Sequence, residues 1–533
     1  MVIAEENIAS GRVLRLEQWW MPPVRNLSLA LLTGGLMALA FPGWEAWILG
    51  WVALAPLLVA IPRERRPLRA FGLGLVSGTL FFYAACWWIA YPPVHYADFP
   101  RPLAYALALI PCAISGLYVG LFALVVHVAV RRLSPHTMLA APLVWVACEW
   151  LRLKTMGVGW NMLGYSQAFQ PALVQGASLG GVYAVSFLLV ASSAALAYGL
   201  IAPSRRAARA AMLATFALII ANVWYGVAML SRTQAAAEGL AVIAVQPNLP
   251  IAAPSEDEFD VAIGRLTRLG RDELDRANAP PMPSPTLLVW PEIPVPILYE
   301  KDSPGNSFLA SMATHRGDYL LFNAIGRSGA ADTNAAVLIG PDGRHADAYD
   351  KIRLLPFGEY VPMRSIIPFL DKVPALAGEF TPGDRVHLLD VGGARLSISI
   401  CFESSFPDLA REARAAGASG FVNLTNDAWF GPTPEPRQHL AHAVMRSVEN
   451  RTEQVRVTNA GYSARIDAAG RIVDSTDLFR EATRRWVLPR EPWGGETLYT
   501  RAGDWLAVAS ALATLGLVVA ALARRQPPVI ELE

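Results

Sequence analysis

The sequence predicts two structures in one chain: an α-helical polytopic membrane domain, and an α/β domain placed before its last helix. Three observations carry this. Charged residues make up 17% of the 533 and hydrophobic ones 53%, and mean hydropathy is +0.33, too apolar for a soluble protein of this length. Apolar runs follow one another up to Arg232 and return over 505–522. The region between them is polar and proline-rich, and short β-rich runs alternate there with helical stretches.

A hydrocarbon core about 30 Å thick takes roughly 20 helical residues to cross. Eight runs qualify as candidate spans: 27–41, 46–61, 70–90, 104–130, 138–151, 179–200, 210–230 and 505–522, of which the first and fifth are short. Cytoplasmic loops collect Lys and Arg. Arginines gather before the first span (Arg12, Arg15, Arg25), after the second (Arg63, Arg65, Arg66, Arg69), after the fourth (Arg131, Arg132), after the sixth (Arg205, Arg206, Arg209) and after the last (Arg524, Arg525). The alternate loops are poor in positive charge; FPGWEAW has none and the third–fourth loop has only Arg101. That alternation predicts both termini in the cytoplasm and the polar region outside. The expected organisation is a cytoplasmic arm 1–26, seven helices in 27–232, an extracytoplasmic domain 238–500, an eighth helix 504–523 and a tail 524–533. The first span lacks a small-residue cleavage pattern and leads into further spans, so it is expected to stay as a helix.

In the outside region LAVIAVQ, TLLVWPE, YLLFNAIG, AAVLIG, RLSISICFE and GFVNLTN read as strands. Their continuous apolar character suits sheets buried on both faces. Helices are expected over 256–277, in PDLAREARAAG and over 436–452, and AAVLIG-PDG-RHADAYD reads as a hairpin.

Composition also excludes. A net charge of +1 gives no electrostatic case for nucleic acid. The four cysteines have no CxxC or metal-ligand spacing, and Cys86, Cys112 and Cys148 lie in apolar runs as small buried hydrophobes would. With no phosphate-cradling glycine loop and no histidine cluster, neither a cofactor nor a metal is expected.

In α/β proteins chemistry gathers where strands run out into loops. Glu292 follows LLVW, Lys351 ends the hairpin's second strand, and Cys401 ends LSISI before a helix begun at Pro407. A thiol at such a turn is expected to be exposed and near a helix N-terminus, which favours thiolate. It needs a proton acceptor, and acyl chemistry needs a cation where an oxyanion forms. Glu292 and Lys351 supply both types of group. Taken singly each has a commoner structural reading: a buried thiol, a capping or solvated glutamate, a solvated lysine.

The motifs WPEIP, DKIRLLPFGEYVP, ISICFESSFP, NLTNDAWFG and VRVTNAGYSARID resemble the nitrilase (carbon–nitrogen hydrolase) superfamily. WNMLGYSQ, PLVWVACEWLR and eight spans around an external domain narrow the resemblance to the apolipoprotein N-acyltransferase family. It implies eight transmembrane helices plus a nitrilase-like αββα sandwich, in a multi-pass protein of the bacterial inner membrane with its catalytic domain on the periplasmic side. It implies a Glu-Lys-Cys triad: Glu292 as general base, Lys351 as oxyanion-stabilising cation, Cys401 as nucleophile, with Glu359 and Glu403 in support. The reaction implied moves the sn-1 acyl chain of a phospholipid, phosphatidylethanolamine being expected, through a cysteine thioester to the α-amine of a diacylglyceryl apolipoprotein. Trp160, Tyr165 and Phe402 are candidates to meet substrate, and Phe357 and Trp429 to screen Cys401 from water. Three departures stand out: Phe402 where the family often has tyrosine, VQPNLP for VQGNIPQ, and no tryptophan in IAAPSEDEF. The residues alone also admit a membrane-tethered amidase acting on a small amide, although seven spans exceed what tethering needs. A transporter with an inactive outer domain would be expected to have lost part of the triad.

Overall fold

The computed structural model describes residues 22–233, 236–251, 256–276, 285–292, 297–300, 306–328, 331–361 and 379–524. Most of the N-terminal arm, the tail beyond Arg524 and residues 362–378, which follow the candidate screening residue Phe357, lie outside the described residues.

The apolar half is helical throughout. Its main helices are α1 (Val24–Ala40), α2 (Ala55–Ala60), α3 (Pro67–Cys86), α4 (Arg101–Arg132), α5 (Ala141–Met156), α6 (Val182–Ile201) and α7 (Arg205–Arg232). Among the described residues, five helical stretches are long and apolar enough to cross a bilayer: Pro67–Tyr96, Arg101–Arg132, Val182–Ile201, Arg205–Arg232 and Trp505–Ala523. The other three expected spans fold shorter. The first is the 17-residue α1 and the fifth the 16-residue α5. The second is broken into a 3-10 turn, α2 and another turn, with Pro56 and Pro62 each opening a new piece, where a missing N–H costs nothing. Five of the eight expected spans therefore have the length and composition of a crossing among the described residues, and three are shorter apolar helices.

The tightest helix pair is α3 against α4. Gly74 and Gly78 on one face Gly116 and Gly120 on the other, and a Cβ on Gly74 or Gly78 would overlap Val119, one on Gly116 Thr79. Small residues four apart on both helices let backbones approach closely enough for dispersion alone to hold them in lipid. At the rim, α7 buries only Ala208 and Gly226. Its exposed Leu213, Phe216 and Trp224 present an apolar face suited to acyl chains.

The polar half is two six-stranded sheets. One runs β12-β1-β2-β3-β4-β5 and the other β11-β10-β9-β8-β7-β6. The strands are β1 (Leu240–Gln246), β2 (Thr286–Val289), β3 (Tyr319–Ser328), β4 (Ala331–Ile339), β5 (His345–Asp350), β6 (Leu388–Val391), β7 (Ala394–Ile400), β8 (Gly420–Thr425), β9 (Glu453–Thr458), β10 (Ala464–Ile466), β11 (Ile472–Ser475) and β12 (Ala482–Leu488). β1, β2 and β3 are parallel, as are β7, β8 and β9, with antiparallel pairs on the flanks. Alternation sorts the side chains. Leu240, Val242 and Ala244 share a core with Leu396, Ile398 and Ile400 between the sheets. Ile243 and Val245 turn the other way, onto α8 (Glu256–Leu274) and α9 (Ser307–Thr314). β1 and β8 are buried on both faces as their apolar runs foretold, whereas β7 alternates, with Arg395, Ser397 and Ser399 less buried.

Helices α10 (Pro407–Ala415) and α11 (Glu435–Asn450) cover the second sheet, completing an αββα sandwich, and α12 (Trp505–Ala523) returns to the apolar half. Helix α11 is buried nearly all round. One side lies on the sheet, and the other enters the helical half, where Gln438 accepts from Trp88 Nε1 at 3.1 Å and Trp160 Nε1 at 3.0 Å and donates to the Ala85 carbonyl at 2.9 Å.

Candidate active site

Three chain segments leave their strands at the same end of the sandwich. Glu292 lies three residues past β2, Lys351 one past β5, and Cys401 one past β7. The Lys351 N–H still bonds the Asn334 carbonyl of β4 at 2.8 Å, so its position is set by the end of the ladder. Cys401 opens a 3-10 turn, Cys401–Ser405, with φ of +50°. A side chain in that left-handed region costs about 1–3 kcal/mol and persists only where its surroundings enforce it.

The expectation of an exposed thiolate is corrected here. Cys401 is 8% exposed. Burial pushes its thiol well above the ordinary range, the Glu292 charge adds to this, and Lys351 and a hydrogen bond from Thr425 oppose it. Burial therefore favours the thiol over the thiolate, with Glu292 as its hydrogen-bond partner. Burial likewise raises Glu292, with Lys351 pulling it down and Glu359 pushing it up. A carboxylate so placed is a stronger base than one in water, which suits it to take the thiol proton.

Lys351 is 1% exposed. Burial alone would lower its ammonium, but the carboxylate of Glu359, then Cys401 and Glu292, hold it above the ordinary range. Its Nζ lies 2.9 Å from each Glu359 oxygen. Glu359 also takes Asn334 Nδ2 at 2.6 Å and Leu355 N at 2.7 Å, which leaves the lysine fixed, charged and aimed. Glu403 is a clip between two segments. One oxygen accepts from Tyr349 OH, Ile352 N and Arg353 N at 2.8, 2.7 and 3.1 Å, and the other from Ile400 N at 2.8 Å. It thus ties the chain just after Lys351 to the chain just before Cys401.

The structure brings all five of these residues together. It also sets Phe402 against Trp160, rings nearly parallel with centroids 6.1 Å apart. Both are buried, so Trp160 forms a wall beside the Cys401 turn. Tyr165 is buried further back, against His442 with centroids 4.0 Å apart, and accepts from Arg446. Of the ionisable groups beside that loop, Glu149 accepts from Trp145 Nε1 and Leu163 N, and Arg152 donates to the Trp160 carbonyl, so both serve the loop's shape. Trp429 packs edge-on against Tyr96 at 5.2 Å. Phe357, in a turn with φ of +62°, is 48% exposed.

Sequence reading missed a second layer. Asn334 bridges Glu292 at 3.3 Å and Glu359 at 2.6 Å, and is itself held by Asn323. Asp427, Arg456, Asn423 and His439 form a buried network under Cys401. The available signal was polarity out of place: asparagines at 323, 334 and 423 inside apolar strands, and an arginine at 456 inside VRVTN. Asp427, Glu435 and His439 bring potential ligand atoms within 4.8 Å of one another. Arg456 already donates to both oxygens of Asp427, so that negative charge is matched without a metal.

Comparison with known proteins agrees with both halves. The apolipoprotein N-acyltransferase N-terminal domain model matches residues 33–195 and the carbon-nitrogen hydrolase model residues 277–485. An apolipoprotein N-acyltransferase of Geobacter metallireducens is 34% identical over 97% of this chain and 98% of its own. One of Brucella melitensis is 33% identical over 95% and 96%. Among solved structures, an amidase of Nesterenkonia sp. AN1 with acrylamide added at its active-site cysteine matches 47% of this chain and 94% of its own at 21% identity, with a TM-score of 0.33. Similarity of that extent along both the helical half and the sandwich has one meaning: the chain belongs to the apolipoprotein N-acyltransferase family.

Proposed function

We propose that the protein completes lipoprotein maturation by moving the sn-1 acyl chain of a phospholipid, phosphatidylethanolamine in the first instance, onto the α-amine of an N-terminal diacylglyceryl-cysteine. The observation that supports it most is the meeting of Cys401, Glu292 and Lys351 beneath a wall, Trp160 on Phe402, supplied by the membrane half. Glu292 takes the thiol proton as sulfur attacks the ester carbonyl. The oxyanion forms beside the Lys351 ammonium, which Glu359 keeps in place. Collapse expels lysophospholipid, whose new hydroxyl takes the proton back from Glu292, and leaves an acyl thioester on Cys401. The acceptor amine then attacks, Glu292 accepts its proton, and the thioester becomes a more stable amide with the thiol restored. Phe357 and Trp429 are proposed to limit water at the thioester, and removal of either ring is expected to raise hydrolysis relative to transfer.

Both substrates are held in a bilayer, which is why the sulfur sits where the sandwich meets the apolar helices. The arginine pattern supports eight crossings, the three shorter helices included, with both termini in the cytoplasm and the sandwich on the periplasmic side of a bacterial inner membrane. Segments 1–26, 27–232, 238–500, 504–523 and 524–533 are the corresponding domains.

The deciding experiment incubates detergent-purified protein with phosphatidylethanolamine and weighs the peptide bearing Cys401. A hydroxylamine-labile gain of one acyl chain, absent in Cys401→Ala, is the expected result. A folded protein with no adduct that instead hydrolyses small amides would replace the proposal with a tethered amidase.

A further inference from the structure

We infer that His439 is a positioning residue for the nucleophile: its Nε2–H holds the Cys401 carbonyl and so keeps the Cys401 backbone in the left-handed turn from which the thiol meets Glu292. The inference rests on Cys401 being the nucleophile.

The Cys401 carbonyl can only accept, and His439 Nε2 lies 3.1 Å from it, so Nε2 carries the proton. At the other ring nitrogen, Nδ1, an N–H of Arg456 and the Oδ1 of Asp427 both lie at 3.0 Å. Burial and then the Arg456 charge push the His439 imidazolium below its ordinary range, with the hydrogen bond and charge of Asp427 opposing; the proton on Nε2 that the carbonyl requires is compatible with either partner at Nδ1. The guanidinium is fully buried, and the nitrogen facing His439 also bonds both oxygens of Asp427, at 2.8 and 2.7 Å. Its other terminal nitrogen binds Asn423 Oδ1, which turns the Asn423 amide nitrogen toward the Ser399 carbonyl at 3.1 Å and the Cys401 carbonyl at 3.5 Å. One arginine on β9 therefore orients two donors onto one carbonyl.

That carbonyl matters because a trans peptide is planar. Fixing its direction fixes the Phe402 N–H on the opposite side and limits rotation about the Cys401 Cα–C bond, at a residue whose φ of +50° is costly to keep. The helix that carries His439 is itself anchored: the preceding Gln438 is bonded to Trp88, Trp160 and Ala85 of the apolar half. His439 acts through Cys401.

The test compares His439→Gln, His439→Asn and His439→Leu in the full-length protein in detergent, following acyl-thioester formation on Cys401 in a single turnover across phosphatidylethanolamine concentrations. A glutamine amide nitrogen reaches the place of Nε2; an asparagine amide reaches only that of Nδ1. Loss of one well-placed hydrogen bond predicts acylation at saturating donor slowed by about tenfold or more in the asparagine and leucine variants. The half-saturating donor concentration should stay the same, and glutamine should restore most of the rate. Should the leucine variant fail to fold, the two amides still decide. Equal rates for glutamine and asparagine, or three variants as fast as the parent, would overturn the inference while leaving Cys401 as nucleophile. No thioester in the parent protein would overturn both.

Discussion

Trp160, from the loop after α5, lies over Phe402, the residue after the cysteine, with ring planes 16° apart. The same indole donates to Gln438 on α11 at 3.0 Å. The apolar half thus touches the turn that carries Cys401, one residue from its sulfur. Trp160→Ala should leave Cys401 able to form a thioester but raise its hydrolysis relative to transfer, with aminolysis falling about tenfold. Trp160→Phe should retain most transfer, because the stacking, worth about 0.5–1.5 kcal/mol, survives. Mass analysis of the acylated peptide and of released fatty acid reads the partition, and an unchanged ratio in Trp160→Ala would sink the idea.

Glu292 is pushed up by burial, and Cys401 by burial and then by Glu292. Acylation should therefore rise with pH along a limb whose midpoint lies above the usual carboxylate value, as Glu292 loses its proton. Glu292→Gln should remove that limb and cost about 10²–10⁴ in rate. It also deletes a negative neighbour of the thiol, so Cys401 should be alkylated by a small maleimide at lower pH than in the parent. Loss of transfer with an unmoved alkylation profile would mean that the two groups do not share a proton.

The Lys351–Glu359 pair is at most 5% exposed on both sides. Removing one partner leaves a buried charge uncompensated, at about 3–5 kcal/mol. Glu359→Gln and Lys351→Met should each lower the melting temperature sharply, and the double variant should be less destabilised than their sum. Additive losses in thermal unfolding would refute the coupling.

Asp427 gives a pH signature. Burial would raise its carboxyl, but Arg456 and then His439 hold it at about 2. A carboxyl lowered by folding contributes stability that is complete above about pH 4 and is lost as pH falls toward 2, an effect of about 2 kcal/mol. The stability advantage of the parent over Asp427→Asn should accordingly shrink between pH 5 and pH 3. An advantage that stays constant over that interval would exclude the ionised form.

Much of this was legible in order and type. Six strands and the main helices of the sandwich follow from apolar runs such as LAVIAVQ and from helical stretches such as PDLAREARAAG. Glu292, Lys351 and Cys401 were visible because each reactive group sits where a strand ends. Strands β6, β9, β10, β11 and β12 were not read, because runs that are short or, like EQVRVT and ATRRWVL, carry charge do not look like core. The exposed thiolate was misjudged for a related reason. Local sequence shows the turn at Cys401, but the burial comes from Trp160 and α11, which arrive from far along the chain. Arg456, His439 and Asn334 acquire their meaning only from partners in other strands.

The burial of α11 on nearly every side has a consequence for separability. Its inner side belongs to the sandwich core, and its outer side offers Gln438, His442, Arg446 and Glu449 to the apolar helices. Glu449 even caps the first turn of α6, accepting from Val182 N at 2.9 Å. Cut free as a soluble fragment, the sandwich would expose this side with its polar groups unmatched, and α6 would lose the carboxylate at its N-terminus. The two halves therefore share one buried polar seam, and the sandwich relies on the apolar helices to match it.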